Sequence, residues 1–220
     1  IITVEQLIAH RRLNEKLVQR VAQAKLPTKM GDFEIYVYDV QFENQEPIAL
    51  VMGDMTVHHE KAPLVRMHSS CFTGDIVGSL RCDCGDQLSA ALQLIDKNDH
   101  GVLVYLRGHE GRGIGIGHKI RAYSLQDQGV DTVDANTQLG LPVDSREYGI
   151  GAQILADLGA QELRLMTNNP AKYGGIAGYG LRVVERVPIV VTMTDENRAY
   201  LSTKRDRLGH LFAADEKGTK

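Results

Sequence analysis

Residues 66–87 of this chain have the sequence RMHSSCFTGDIVGSLRCDCGDQ and contain all three of its cysteines. The apolar run just before and within this stretch, 64–67, is typical of a strand, and from Asp86 the apolar residues follow a helical period. The stretch therefore joins a β-rich first half of the chain to a second half in which strands and helices alternate. We predict a mixed α/β fold (α+β) in a single compact domain, with the cysteine loop at a strand end.

The spacing of the cysteines predicts a metal site. Cys71, Cys82 and Cys84 leave ten residues and then one residue between successive thiols. Thiolates rarely pair in a reducing compartment but bind zinc tightly, and three protein ligands leave the fourth tetrahedral position to water. Alternatively, three small apolar thiols pack in a core. The polar turn 82–85 favours the metal, and without a fourth cysteine a catalytic zinc is favoured over a structural one.

Composition limits the class of protein. The 220 residues are 43% hydrophobic and 24% charged, enough to bury a core in one large domain or two small ones without disulfides. No apolar run reaches the ~18 residues of a membrane span, so we expect a cytoplasmic protein with no membrane partner. A formal charge of −3 argues against nucleic-acid binding, which needs a broad basic surface, and any anion site must be local.

Apolar periodicity and helix caps predict the regular elements. Thr3 and Gln6 form a capping box before a short amphipathic helix, and residues 33–38 alternate as a half-buried strand after the break at Pro27. The other predicted strands are 48–52, 64–67, 102–106 and 163–166, and the other predicted helices are 86–95, 120–129, 144–159 and 197–208.

The stretch 107–121 is a candidate anion site. It carries four Lys or Arg, two His and a single acid, Glu110, with glycines at 111, 113, 115 and 117. A local charge of about +3 on backbone that permits close approach suits a phosphate group, although the glycine spacing matches neither the P-loop nor the dinucleotide fingerprint. A flexible, solvated basic loop is the alternative. Its place after a strand favours a ligand site, as in other α/β proteins.

Two further segments are candidates. Asp144 and Glu147 form a capping-box signature, which predicts a helix that starts at Asp144 and ends at Gly159. Arg146 would lie in the first turn of that helix, where a cation is mildly unfavourable against the helix dipole, and this indicates a functional role.

The second of these segments follows the strand predicted at 163–166. Asn169 suits a helix N-cap and Pro170 the first helical residue. Free backbone amides should therefore point outward there with Lys172 beside them, which makes 167–172 a second candidate anion site.

Five stretches taken together resemble GTP cyclohydrolase II, the enzyme that opens riboflavin synthesis: 66–87, 107–115, 121–129, 144–148 and 167–172. The resemblance covers nearly the whole chain. It implies hydrolysis of GTP to formate, pyrophosphate and 2,5-diamino-6-ribosylamino-4(3H)-pyrimidinone 5′-phosphate, with zinc and magnesium, in a homodimer. Residues 1–15 are similar to the tail of a dihydroxybutanone phosphate synthase domain. This implies the C-terminal half of a bifunctional enzyme, with a cyclohydrolase domain at 16–210 and a flexible tail at 211–220.

The resemblance also implies the site residues. The implied zinc ligands are Cys71, Cys82 and Cys84. The implied catalytic residues are Tyr123, Asp144 and Arg146. The implied nucleotide contacts are Arg66, Met67, His68, Ser69, Ser70, Gln87, Glu110, Gly111, Arg112, Thr132, Thr167 and Lys172. Ser70 departs from the family, which commonly has Glu there, so a carboxylate role at this position is not expected.

The resemblance implies that Arg146 attacks the α-phosphate to form a covalent guanylyl intermediate. This is chemically demanding, because guanidinium has a pKa above about 12 and offers donors rather than a lone pair. Asp144 would have to accept its proton in a dry site. Alternatively, Arg146 only clamps phosphate oxygens as charge develops.

The remaining hypotheses concern Tyr123 and the class of protein. Tyr123 either acts near the zinc as a proton donor or positioning group, or belongs to the core. The competing class is a non-catalytic module in which zinc is structural and the basic loops bind a nucleotide as a signal. Tyr123, Asp144 and Arg146 argue against that class, since binding alone does not need them.

Overall fold

The computed structural model describes residues 2–57, 59–142, 144–146, 148–169, 176, 178–191 and 193–211. Its strands are β1 (Val18–Thr28), β2 (Gly31–Val40), β3 (Ile48–Met52), β4 (Leu64–Ser69), β5 (Gly101–Leu106), β6 (Glu162–Met166) and β7 (Arg182–Val187). Its helices are α1 (Val4–Asn14), α2 (Cys84–Asn98), α3 (Gly115–Gln126), α4 (Thr132–Gln138), α5 (Gly149–Asp157) and α6 (Asp195–Leu208). Two short turns, Phe72–Ile76 (a π-helical turn) and Glu110–Gly113, flank the site described below.

All seven strands form one mixed sheet in the order β1-β2-β3-β5-β4-β6-β7. Neighbours from β1 to β5 run antiparallel, whereas β5, β4, β6 and β7 run parallel. Parallel neighbours need a crossover, and α2 provides it between β4 and β5. Because β4, β5 and β6 are parallel, their carboxyl ends meet at one edge of the sheet. The predicted mixed α/β fold in one compact domain is confirmed.

The core lies on both faces of the sheet, since successive strand residues point to opposite sides. On one face, Val65 and Val104 pack in a cluster with Ile154 of α5. On the other face, Leu103 packs in a second cluster with Ile95 of α2. The sheet is thus sandwiched between α2 and α5. Among the described residues, no helix is long and apolar enough to cross a membrane.

Most predicted elements are confirmed. The strands at 33–38, 48–52, 64–67, 102–106 and 163–166 are present, and the helix predicted from 86 begins at Cys84. The first capping box is formed by Gln6 N, which donates to Thr3 Oγ1 at 3.1 Å, and by Thr3 N, which donates to Gln6 Oε1 at 2.9 Å. The last helix ends, as predicted, at Gly209, which has a left-handed φ of 65°.

The prediction that a helix begins at Asp144 is wrong, because α5 begins at Gly149 with Tyr148 as its N-cap. Asp144 caps no helix, since its carboxylate accepts hydrogen bonds from the backbone and side chain of Arg146 instead. Glu147 lies outside the described residues, and so do Pro170 and Lys172 of the second predicted anion site.

The predicted extent of the glycine-rich loop is also wrong. Helix α3 begins at Gly115, five residues before the predicted start, so only 107–114 form a loop. Three elements were not predicted: β1, β7 and α4. Both β1 and β7 end the sheet, and β1 exposes most of its residues while β7 buries none of its own fully. They therefore lack a clear apolar alternation, and an edge strand tolerates Pro27.

Candidate active site

The three cysteines converge beyond the carboxyl end of β4. Cys71 precedes the π-helical turn Phe72–Ile76, and Cys84 is the first residue of α2. Their sulfur atoms and that of Cys82 all lie within 4.8 Å of one another, and Cys71 Sγ lies 3.8 Å from Cys82 Sγ. The predicted thiol cluster therefore forms although twelve residues separate Cys71 from Cys84.

The cluster fits a tetrahedral zinc ion. Zn–S bonds of about 2.3 Å at tetrahedral angles place two sulfurs about 3.8 Å apart, which matches the separation of Cys71 and Cys82. Gly74 packs directly against the thiols, since a Cβ there would lie 2.8 Å from Cys82 Sγ and 3.2 Å from Cys71 Sγ. A side chain at this position would displace the sulfurs, so the turn needs glycine. Thiolates are also ligands that zinc prefers.

A buried lysine contacts the cluster. Lys119 of α3 is 8% exposed, and its Nζ donates to Cys71 Sγ at 3.1 Å, to Thr73 Oγ1 at 2.7 Å and to Glu110 Oε1 at 2.6 Å. Burial alone would lower the pKa of Lys119, but the hydrogen bond that it donates to Glu110 and the charge of Cys71 raise it. Lys119 is therefore a fixed positive charge beside the sulfurs.

In the absence of metal, the three neighbouring thiols shift one another's pKa values. Hydrogen bonds from Cys82 and Cys84, together with the charge of Lys119, lower the pKa of Cys71 well below its usual range. The hydrogen bonds with Cys71 raise the pKa of Cys82 and of Cys84. Cys71 is thus the thiolate that the surrounding residues favour.

Asp75 holds the loop to the sheet. Its buried carboxylate accepts from Cys71 N at 3.0 Å and from the Tyr105 hydroxyl at 2.9 Å, and it lies 3.0 Å from His68 Nε2. Burial and the charge of Asp75 raise the pKa of Tyr105, which keeps that hydroxyl protonated as a donor. Cys71 is consequently fixed relative to β4 and β5.

Arg66 lies at the opposite side of the cysteine loop. It is 6% exposed, and it donates from Nη1 to Met166 O at 2.9 Å and from Nη2 to Gln87 Oε1. Its buried Nε has no hydrogen-bond partner among the described residues. A desolvated cation with an unused donor beside a cleft is the arrangement that an anionic ligand would complete.

Asp144 and Arg146 form a two-pronged ion pair. Arg146 Nε donates to Asp144 Oδ1 at 2.9 Å and Nη2 donates to Oδ2, while Arg146 N also donates to Oδ1 at 3.1 Å. Burial opposes the charge on each group, but the pairing outweighs it: the pKa of Arg146 is raised and that of Asp144 is lowered. Both side chains are therefore charged.

The predicted site residues mostly line two adjoining cavities. The first contains the three cysteines and the second contains Arg66. The first cavity is also lined by Ser69, Ser70, Gly111, Arg112, Tyr123, Thr132 and Arg146. The second is also lined by His68, Ser69, Cys84, Gln87, Arg112, Arg146 and Thr167. Because the two share several residues, they form one cleft that extends from the thiols to Arg66.

Three predicted residues do not line this cleft. The Met67 side chain is buried in the core, Glu110 contacts Lys119 and the backbone N of Phe72, and Asp144 reaches the cleft only through its partner Arg146. Lys172 lies outside the described residues.

Tyr123 lines the cavity of the thiols. Its ring lies under the guanidinium of Arg81, with the Arg81 Cζ 4.6 Å from the ring centroid. Burial raises the pKa of Tyr123, whereas the charge of Lys119 and a hydrogen bond to Thr73 lower it. The hydroxyl therefore remains a proton donor at neutral pH.

Several lining residues escaped prediction. Tyr200 lines both cavities, and Lys204 and His210 line the second one. All three belong to α6 or to the segment after it, a stretch that the sequence describes only as a basic helix. No local motif marks them, because the residues that they meet in the cleft are distant in sequence; Asp83, for example, lies 121 residues before Lys204. Lys119 gave a weak signal as one basic residue in the glycine-rich stretch.

The fold and the site together define a mixed α/β protein with a candidate metal centre beside a cationic cleft. The chain belongs to the GTP cyclohydrolase II family, whose model matches residues 19–188. The resemblance proposed from the sequence is thereby confirmed.

Relatives that carry this domain are considerably longer than the chain. It is 57% identical over 215 residues to the Monofunctional riboflavin biosynthesis protein RIBA 3, chloroplastic, of Arabidopsis thaliana, covering 98% of this chain and 42% of that protein. It is 56% identical over 212 residues to the Riboflavin biosynthesis protein RibBA of Salinispora tropica, covering 96% of this chain and 52% of that protein. The chain thus spans about half or less of the length of these relatives.

A solved structure has a related fold. The crystal structure of RibBX, a two-domain 3,4-dihydroxy-2-butanone 4-phosphate synthase from A. baumannii, matches with a TM-score of 0.50 and 25% identity. The match covers 86% of this chain and 44% of that chain.

Proposed function

We propose that this chain hydrolyses GTP and opens the guanine imidazole ring, releasing formate, pyrophosphate and 2,5-diamino-6-ribosylamino-4(3H)-pyrimidinone 5′-phosphate. The observation that carries the proposal is that a zinc-compatible thiol triad and the arginines 66, 112 and 146 line the same cleft. One end of the cleft suits a metal and the other suits a triphosphate. Membership of the family supports the same assignment.

The chain's residues divide the work between two regions. Arg66, Arg112 and Arg146 bind phosphate oxygens, for which planar guanidinium groups are well suited. Cys71, Cys82 and Cys84 would hold zinc, which when bound would supply a Lewis acid that lowers the pKa of a water molecule. The Tyr123 hydroxyl donates a proton to the ring nitrogen as the C–N bond opens.

The polar residues between these two regions hold the nucleotide. We assign this role by resemblance and by their place at the cleft to His68, Ser69, Ser70, Gln87, Gly111, Thr132 and Thr167. Met67, Glu110 and Lys172 are assigned by resemblance alone. For Glu110 a positioning role fits its contacts better, because its carboxylate joins Lys119 to the turn that follows Cys71.

Arg146 is assigned to the phosphates, with Asp144 orienting it. The ion pair raises the pKa of Arg146, so a neutral, nucleophilic guanidine is further from reach. These observations favour the clamp over the covalent intermediate that the resemblance implies.

The cofactors and partners of the whole protein are also proposals. Magnesium would accompany the pyrophosphate, and the active form would be a homodimer, both by family resemblance. Relatives named bifunctional riboflavin biosynthesis proteins, and the solved two-domain synthase, support a fused dihydroxybutanone phosphate synthase domain. The plant relatives are named chloroplastic, so a cytoplasmic location stays a prediction.

A non-catalytic nucleotide-binding module is the second candidate. Ser70 lines the thiol cavity at a position where the family commonly has Glu, and two relatives at 57% and 58% identity are named monofunctional or probably so. A domain that kept the cleft but lost the chemistry would bind GTP without consuming it.

One experiment separates the two functions. The zinc-loaded protein is incubated with GTP and Mg²⁺, and formate and pyrophosphate are quantified beside nucleotide binding by calorimetry. Release of both products in equal amounts supports the cyclohydrolase. Binding with unchanged GTP supports the module, and Ser70→Glu then shows whether the missing carboxylate is the cause.

A further inference from the structure

A buried ion pair joins the last helix to the cysteine loop. Lys204 Nζ of α6 lies 2.5 Å from Asp83 Oδ1, although 121 residues separate the two. The side chains are 8% and 0% exposed. The contact therefore joins an ammonium group and a carboxylate in the interior of the protein.

The position of Asp83 in the cysteine loop connects this ion pair to the candidate metal site. Asp83 stands between Cys82 and Cys84, so anchoring its side chain restrains the backbone that carries two of the three thiols. Its second oxygen, Oδ2, accepts from Gln87 Nε2 at 2.5 Å, and Gln87 Oε1 accepts from Arg66. A continuous hydrogen-bonded line thus runs from Lys204 to the arginine that lines the cleft.

Helix α6 is held firmly enough to act as an anchor. Arg207 pairs with Asp131, the N-cap of α4, and with Asp134 in its first turn. Beyond the helix, Leu211 N donates to Asn168 O at 2.8 Å. Both contacts follow Lys204 within seven residues and tie the C-terminal end of α6 to α4 and to the segment after β6.

Energetics argue that the pair serves more than folding. A buried ion pair adds little stability over apolar residues of similar size, because desolvation offsets the attraction, whereas removing one partner alone is strongly destabilising. A turn that must keep thiols at metal-bonding distances gains a defined geometry from the pair. Residues that orient metal ligands in this way commonly change metal affinity 10- to 100-fold when replaced.

We propose that Lys204 is a positioning residue of the metal site. Through Asp83 it fixes the turn that carries Cys82 and Cys84, and through Gln87 it orients Arg66 toward the cleft. Helix α6 is accordingly part of the active site, although it lies beyond the residues that the family model matches. The inference deepens the proposed function and rests on its assignment of the thiol triad to a metal.

The test measures metal binding in the absence of GTP. Variants Lys204→Met, Lys204→Arg, Asp83→Asn and the double variant Lys204→Met/Asp83→Asn are compared with wild type. Zinc affinity is obtained by competition with a chromophoric chelator, and Co²⁺ substitution reports thiolate coordination through its charge-transfer band. Arg198→Met removes an exposed positive charge from the same helix and serves as the matched control.

We expect Lys204→Met to weaken zinc binding about 10- to 100-fold and to shift the Co²⁺ spectrum. Lys204→Arg should recover part of the affinity, and Arg198→Met should match wild type. The double variant leaves no unpaired buried charge, so it should melt closer to wild type than either single variant while its zinc affinity stays weakened.

A folded Lys204→Met or double variant with wild-type zinc affinity and Co²⁺ spectrum would overturn the inference. Failure of the double variant to fold would also overturn it, because the pair would then serve stability alone. A wild type that binds no zinc would contradict both this inference and the proposed function. A wild type that binds zinc but releases no formate would contradict only the proposed function.

Discussion

Lys119 donates a hydrogen bond from Nζ to Cys71 Sγ at 3.1 Å, so a buried ammonium group is in direct contact with one member of the thiol triad. Cys71 is also the thiol whose pKa the surroundings lower. The contact therefore distinguishes Cys71 from Cys82 and Cys84, neither of which accepts a hydrogen bond from a cation among the described residues.

Replacing Lys119 tests the consequence of this contact. Lys119→Met removes a positive charge from beside Cys71, so the pKa of the Cys71 thiol should rise and less thiolate should be present at neutral pH. Ultraviolet thiolate absorbance of the metal-free protein, followed against pH, measures the shift. Lys97→Met, an exposed lysine of α2, is the control. Superimposable titrations of Lys119→Met and wild type would contradict the role of Lys119.

Cys84→Ser should remove zinc and formate release together. A hydroxyl is a much poorer zinc ligand than a thiolate, and the chain has no spare cysteine to replace it. Metal content by mass spectrometry and formate release are measured on the same preparation, with circular dichroism confirming the fold. Stoichiometric zinc combined with full formate release would show that Cys84 is not a ligand.

Tyr123→Phe should keep the fold and slow formate release roughly 100-fold, the order of effect for loss of a general acid. The phenylalanine ring can still pack under Arg81, so thermal stability should change little. Tyr36→Phe, which alters a tyrosine on β2, is the control. An unchanged rate of formate release in Tyr123→Phe would assign Tyr123 to packing alone.

The strands that cross the core were predictable because their own residues record burial on both faces. Every residue from Val102 to Val104 is fully buried, so the run is apolar without interruption. The sequences of β1 and β7 contain no comparable apolar run, since their exposed positions accept polar residues as readily as apolar ones. The cysteine triad was predictable for a different reason: Cys82 and Cys84 lie in a polar turn rather than an apolar run, which favours a metal site over a core.

The rest of the site depends on contacts between distant parts of the chain. Lys204 contacts Asp83 only because α6 packs back over the carboxyl edge of the sheet. Neither residue belongs to a sequence motif from which the other could be predicted. Asp144 shows how a correct motif can mislead. Its spacing to Glu147 satisfies a capping box, but the Arg146 guanidinium offers a stronger, charge-assisted partner for the carboxylate.

Acidification should destabilise the protein through His210. Burial lowers the pKa of His210 to about 3, and the charges of Lys204 and Arg112 act in the same direction. A histidine in an unfolded chain has a pKa of about 6.5. Below that pH the unfolded state therefore binds a proton that the folded state does not bind. The contribution of neutral His210 is therefore present above about pH 6.5 and is lost progressively as the pH falls toward 3.

His210→Gln isolates this contribution from that of the carboxylates. Urea unfolding at several pH values should show a smaller loss of stability on acidification in the variant than in wild type, by at most about 1.4 kcal/mol per pH unit. His10→Gln, which changes an exposed histidine of α1, is the control. Parallel stability curves for wild type and His210→Gln would contradict the low pKa.

Arg146 is the residue for which physical chemistry and family resemblance disagree most. A nucleophilic role needs a neutral guanidine, but Asp144 holds the group charged and occupies Nε and Nη2 with hydrogen bonds. A clamp needs only the charge and the remaining donors, directed into the cleft that Arg146 lines. Arg146 Cζ also lies 5.8 Å from the centre of the Tyr148 ring, which further restricts the guanidinium.

Arg146→Lys separates these roles because it keeps the charge and changes the geometry. If Arg146 is a clamp, the variant should lose about 1 to 3 kcal/mol of transition-state stabilisation, the value of a charge-assisted hydrogen bond, and pyrophosphate release should remain measurable. Wild type quenched during turnover should then carry no guanylate by intact-mass spectrometry. Arg198→Lys, an exposed position, controls for the substitution itself. An inactive lysine variant together with a guanylate adduct on Arg146 in quenched wild type would instead establish the nucleophile, and the ion pair with Asp144 would have to open before it could act.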